Sequence, residues 1–157
     1  MKLSWAWLSL FLLSGASADA DTDTDGVLSL DYCADQYVLA LVSEEKILAL
    51  SPASRSSYSY YRDRAAGFAQ IKPEIEAVYS MAPNIIVRQW GGGLEATEYL
   101  SKIGLKVVQI GYGESFKEAG ENLVKFGKEI DREDRANRLM QDMEARLARV
   151  KEKHRDK

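Results

Sequence analysis

Residues 27–50 read VLSLDYCADQYVLALVSEEKILAL, and this stretch decides the fold. Val27 to Leu30 is a short apolar run suited to a buried strand. Ala34, Tyr37, Val38 and Leu41 follow at helical spacing, with Asp31 placed to cap the helix start. Ile47 to Leu50 is a second apolar run, closed by Ser51-Pro52. The alternation continues downstream. A polar, aromatic stretch from Arg55 to Arg64 precedes Pro73, which the pattern puts in the first turn of a helix with Ile75, Val78, Tyr79 and Ala82 on its apolar face. Asn84 to Val87 is a third strand that runs into Trp90-Gly91-Gly92-Gly93. Leu94 to Ile103 is helical and ends at Gly104, and Lys106 to Ile110 is a fourth strand. Strands alternating with helices at these spacings indicate an α/β fold, a three-layer α/β/α lobe on a parallel sheet of about four strands.

From Ser115 onward the pattern is helical, broken near Asp131. Leu123, Phe126 and Ile130 line one face before the break. Ala136, Leu139, Met140, Met143, Leu147 and Val150 continue it as a long C-terminal helix with a charged tail. Read as exposed, Leu139, Met143 and Leu147 favour self-association.

The N-terminus has a different character. Lys2 precedes the apolar run Leu3 to Leu13, and Ser14-Gly15-Ala16-Ser17-Ala18 follows. Basic, apolar and small residues in that order read as a secretory signal peptide over residues 1–18. A cut after Ala18 fits, with a cut after Ala20 as the alternative, and no Cys lies there to take a lipid. Residues 19–26 form an acidic tether. Removing residues 1–18 takes away only Lys2, so the net charge of −3 becomes −4. A mildly acidic chain lacks the clustered basic face of a nucleic-acid binder. Cys33 is the single cysteine, so no internal disulfide supports the domain.

The candidate chemistry is mostly negative. Gly111-Tyr112-Gly113 follows a strand and precedes a helix, but Phe116 stands where a dinucleotide fingerprint needs its third glycine. The run at Gly91 reads as a strand-to-helix turn at a cleft, with an anion nest as the alternative. The one histidine, His154, lies in the charged tail, too far out to partner a nucleophile or complete a metal site. Cys33, at a helix start where a thiolate would be stabilised, reads instead as a small buried hydrophobe. No catalytic residue, metal site or cofactor emerges, and the chain reads as a binding protein rather than an enzyme. Its candidate ligand-binding residues are Tyr32, Tyr58, Tyr60, Tyr61, Trp90 and Tyr112, all at carboxyl ends of strands or in the loops after them. That edge of a parallel sheet is where ligands bind, and aromatic faces with polar tips suit a large ligand of mixed polarity.

The opening stretch, together with YRDRAAGFAQIKPEIEAVYSMAPNIIVRQWGGG, GLKVVQI and LVKFGKEIDREDRANRLMQDMEARLARV, resembles the periplasmic substrate-binding proteins of ABC importers for iron–siderophores, haem and cobalamin. The resemblance implies two α/β lobes joined by a rigid helix, a metal-chelate ligand between them, and docking on an inner-membrane ABC permease. It places residues 27–130 as the N-terminal lobe and residues 131–157 as the start of the interlobe helix, with the second lobe absent. It also assigns permease docking to Glu76, with Glu74 as a neighbour that could substitute. Tyr32 and Cys33 depart from the family's usual Pro and Ala, so the chelate need not be its best-known one. The alternative reading is a non-transporting protein that forms a homodimer through its C-terminal helix.

Overall fold

The computed structural model describes residues 26–90 and 93–155. The stretch expected to be a signal peptide and nearly all of the expected tether lie outside them, as do Gly91 and Gly92. The chain is an α/β protein with a four-stranded parallel sheet, β1 (Val27–Ser29), β2 (Ile47–Ala49), β3 (Ile85–Arg88) and β4 (Lys106–Gln109), in the order β2-β1-β3-β4. The helices are α1 (Tyr32–Leu41), the single turn α2 (Arg62–Ala65), α3 (Ile75–Ser80), α4 (Gly93–Lys102), α5 (Phe116–Glu129) and α6 (Glu133–His154).

The central strands β1 and β3 are buried throughout because both faces of the sheet are covered, while edge strand β4 exposes Lys106 and Gln109. Val27, Ile85, Val87, Val108 and Ile110 pack with Val38 and Leu39 of α1, Leu123 and Phe126 of α5, and Ala136 of α6. Leu28, Ala49 and Ile86 pack with Val78 of α3 and Leu100 of α4. Neighbouring strand residues therefore serve opposite layers, which makes the architecture three-layered.

Three expectations need correction. Pro73 precedes α3 rather than entering it, and extended Glu74 is the N-cap. Ala82 lies beyond the end of that helix, in the left-handed region at φ 46°. Leu139 and Met143 are half-buried against the same core as Phe126, and Leu147 is half-buried too, so the three do not form an exposed seam. Among the described residues, no helix is long and apolar enough to cross a membrane.

α5 and α6 form an antiparallel hairpin. Ser115 and Glu118 cap α5 reciprocally. Its far end closes with Asp131 at φ 54° and the Arg132 N–H donating to the Gly127 carbonyl at 2.6 Å. Gly120 and Gly127 let the helices approach closely. A Cβ on Gly127 would stand 2.6 Å from Ala136 Cβ, and one on Gly120 would overlap the Met140 thioether.

Candidate functional site

The chain after β1 enters α1 on one face of the sheet, and the chain after the adjacent β3 enters α4 on the other. Two neighbouring strands whose connections leave to opposite faces open a crevice at their carboxyl ends, the usual ligand site of an open parallel sheet.

Asp31 spans the floor of this crevice. It is buried, and its Oδ1 accepts from the Ala34 N–H at 3.0 Å to cap α1. Its Oδ2 accepts from the N–H groups of Gln89 at 2.6 Å and Trp90 at 3.1 Å. One side chain thus fixes the start of α1 and the exit of β3. Arg88, the largest fully buried side chain, donates to the Thr97 hydroxyl of α4. Burial holds its pKa below the ordinary guanidinium value, and the charge of Asp31 opposes that shift.

Asp35, one helical turn on, fastens the connection after β2. Its Oδ1 accepts from the Ser51 N–H at 3.0 Å and its Oδ2 from the Ser51 hydroxyl at 2.6 Å. Burial pushes its pKa up to about 6, against the hydrogen bonds from Ser51 and Ser29. The connection after β4 is held from two sides. Gln89 Nε2 donates to the Gly111 carbonyl at 2.9 Å, and Asn122 Nδ2 of α5 donates to the carbonyls of Gly111 at 2.9 Å and Tyr112 at 3.2 Å. A Cβ on Gly111 would lie 2.5 Å from Asn122 Oδ1, so this glycine allows the close approach of α5.

On this scaffold the aromatic candidates take different places. Tyr32 is half-buried; its hydroxyl donates to the Tyr58 carbonyl at 3.2 Å, and the two rings meet edge to face at 4.9 Å. Tyr58, Trp90 and Tyr112 are 65, 58 and 77% exposed, so their faces are available to a ligand. Tyr60 and Tyr61 form a second edge-to-face pair at 4.8 Å. Tyr61 packs onto the same core as Leu139 and Met143 of α6; burial raises its pKa, and Arg64, Arg135 and Arg146 oppose the shift. Cys33 is half-exposed rather than buried. Its thiol is pushed up by burial and by Asp31 and Asp35, the reverse of an activated thiolate. Glu74 and Glu76 are both exposed at the start of α3. Among the described residues, no group of three or more His, Cys, Asp or Glu side chains could hold a metal ion.

Asp35, Ser51, Gln89, Arg88 and Asn122 were not foreseen as site-building residues. The one signal available was polar: Asp31 and Asp35 stand one turn apart on a helix whose neighbours are apolar.

The fold and its crevice define a doubly wound α/β protein with an open aromatic rim. The sequence profile of the periplasmic binding protein family matches residues 27–157, and the chain belongs to that family. No curated protein matches the sequence. Among solved structures, a possible iron-binding periplasmic solute-binding protein from Staphylococcus epidermidis is 20% identical with a TM-score of 0.67, covering 79% of this chain and 49% of its own. The periplasmic heme-binding protein RhuT from Roseiflexus sp. RS-1 is 17% identical with a TM-score of 0.69, covering 82% and 49%. The periplasmic vitamin B12 binding protein BtuF of Vibrio cholerae is 16% identical with a TM-score of 0.62, covering 81% and 49%. The chain spans about half the length of these structures.

Proposed function

We propose that the chain is an exported substrate-binding component of an ABC importer, contributing one lobe of a receptor for a chelated metal complex such as a ferric siderophore, haem or cobalamin. The observation that carries this reading is the crevice itself. Buried Asp31 fixes the loops after β1 and β3, and exposed Tyr58, Trp90 and Tyr112 stand in the connections that follow β2, β3 and β4. Aromatic faces bind a tetrapyrrole or catecholate ligand by stacking, and phenol and indole groups supply polar contacts at its edge. Family membership and the iron-, heme- and vitamin B12-binding proteins of similar fold support this cargo class.

In this reading residues 1–18 direct export to the periplasm, residues 27–130 form the lobe, and α6 begins the connection between lobes. Glu76, with Glu74 beside it, supplies the exposed carboxylate that docks on permease arginines, a charge-assisted contact. The site uses no catalytic group.

Trp90 is the only tryptophan outside the leader, the other two being Trp5 and Trp7. Titrating the chain lacking residues 1–18 with haemin, a ferric catecholate siderophore and cyanocobalamin is expected to quench Trp90 with one of them. Trp90→Phe would remove the signal, and Tyr112→Ala would weaken binding. Absence of saturable binding to all three, by fluorescence and by calorimetry, would overturn the reading.

A further inference from the structure

Asp35 is a fully buried carboxylate that touches no ligand surface, yet it sits where the rim is anchored. Among the described residues, no cation compensates it. The titratable groups facing it, Asp31 and Cys33, are on its own turn of α1. From β1 and from the connection after β2 it meets only the hydroxyls of Ser29 and Ser51 and the Ser51 N–H. The buried cation of β3, Arg88, faces Asp31 instead. Desolvation is therefore answered by neutral donors alone, which is why the group takes up a proton near pH 6.

A chain of short-range hydrogen bonds leads from Ser51 to the rim. The Ser51 hydroxyl accepts from the Ala53 N–H at 3.2 Å, and its carbonyl accepts from the Ser54 N–H at 3.1 Å. The Ala53 carbonyl accepts from Ser56 N–H at 3.0 Å, and the Ser56 carbonyl from Ser59 N–H at 2.9 Å. Tyr58 lies inside the last of these turns and meets Tyr32. Apart from one 3-10 turn at Pro52–Arg55, no regular element stiffens the segment.

We propose that Asp35 is a positioning residue for the crevice: ionised, it clamps Ser51 and so holds Tyr58 against Tyr32, and protonated, it holds that segment more weakly. Ionised, the carboxylate accepts two charge-assisted bonds from Ser51. Protonated, it keeps neutral bonds, roughly half as strong. The consequence is a rim that is set at neutral pH and loosens on acidification. The role in ligand capture rests on the function proposed above, but the clamp itself is tested without any ligand.

The experiment is a pH titration of the isotope-labelled chain by NMR, following the Ser51 amide and the Tyr58 amide and ring. Both are expected to move with one shared midpoint near 6. In Asp35→Asn that shared midpoint should vanish from both, because the variant removes the carboxylate that accepts from the Ser51 N–H and hydroxyl. Ser51→Ala removes one bond that favours the ionised form, so its midpoint, read at Tyr58, should rise above that of the parent chain. This variant also decides the matter should Asp35→Asn fail to fold. Titration of Ser51 at an ordinary carboxylate value, or a Tyr58 that stays fixed while Ser51 titrates, would overturn the proposal.

Discussion

Asp31 and Trp90 are joined by a 3.1 Å hydrogen bond from the Trp90 amide to the carboxylate that also caps α1. The exposed indole on the rim is thus set by a buried acid 59 residues away in the chain. Asp31→Ala removes the helix cap, about 1 kcal/mol, and leaves the amides of Gln89 and Trp90 without their acceptor, about 2 kcal/mol more. Urea denaturation should show a loss of about 3 kcal/mol, with Asp31→Asn losing less because its amide oxygen still accepts. A loss confined to the cap value would mean that the link to Trp90 contributes nothing.

The raised pKa of Asp35 makes stability depend on pH in a defined direction. Its folded value is about 6, against about 3.9 for an unfolded aspartate. The folded state holds the proton more tightly, so this stabilisation is full below about pH 4. It is lost as pH rises through about 6. The change reaches at most about 3 kcal/mol. Thermal unfolding of the parent chain and Asp35→Asn at matched pH values should show the parent losing stability toward neutrality, relative to the variant. A parallel profile for the two proteins would contradict the shift.

The two helical glycines of α5 should respond differently to the same change. Alanine at 120 meets the Met140 side chain, which can rotate away, while alanine at 127 meets Ala136 Cβ and the Arg132 backbone. Helix propensity gains about 1 kcal/mol in both cases. Gly120→Ala should therefore be close to neutral, and Gly127→Ala should cost about 2 kcal/mol net from overpacking. Chemical denaturation of the two variants side by side checks the order, and the reverse order would show that the hairpin is looser than described.

Ala82 ends α3 in the left-handed region at φ 46°, where a Cβ is strained. Ala82→Gly should stabilise the chain by about 1 kcal/mol. Gly104→Ala, which puts a Cβ at φ 89° after α4, should destabilise it by at least as much. Melting temperatures moving the same way in both variants would contradict this account.

The sheet was legible because each strand is a short apolar run framed by helical spacing, and Gly104 and the Asp131 break mark helix ends by local chemistry. Pro73 misled because proline is compatible with a first helical turn as well as with the extended segment before it. The one-turn helix α2 carries no periodicity to read. Asp31 was legible as a cap, since that bond reaches three residues along the chain. Its second oxygen was not, because its partners are on another strand. The same holds for Asp35 with Ser51 and for Arg88 with Thr97: buried polar groups matched across elements leave no pattern in the chain. Leu139 and Met143 looked like an exposed seam because the sequence does not show that α6 folds back on the core containing α5.

The hairpin of α5 and α6 has a mechanical consequence. α6 lies along the glycine-lined contact, buries Ala136 and half-buries Met140, Met143 and Leu147; only beyond Leu147 is every described residue exposed, a stretch of about two turns, about 10 Å. Its anchorage at Met140 bears on Gly120, two residues from the Asn122 amide that grips the carbonyls of Gly111 and Tyr112. A shift of α6 at Met140 would therefore press on Gly120 and, through Asn122, on the carbonyls that hold Gly111 and Tyr112.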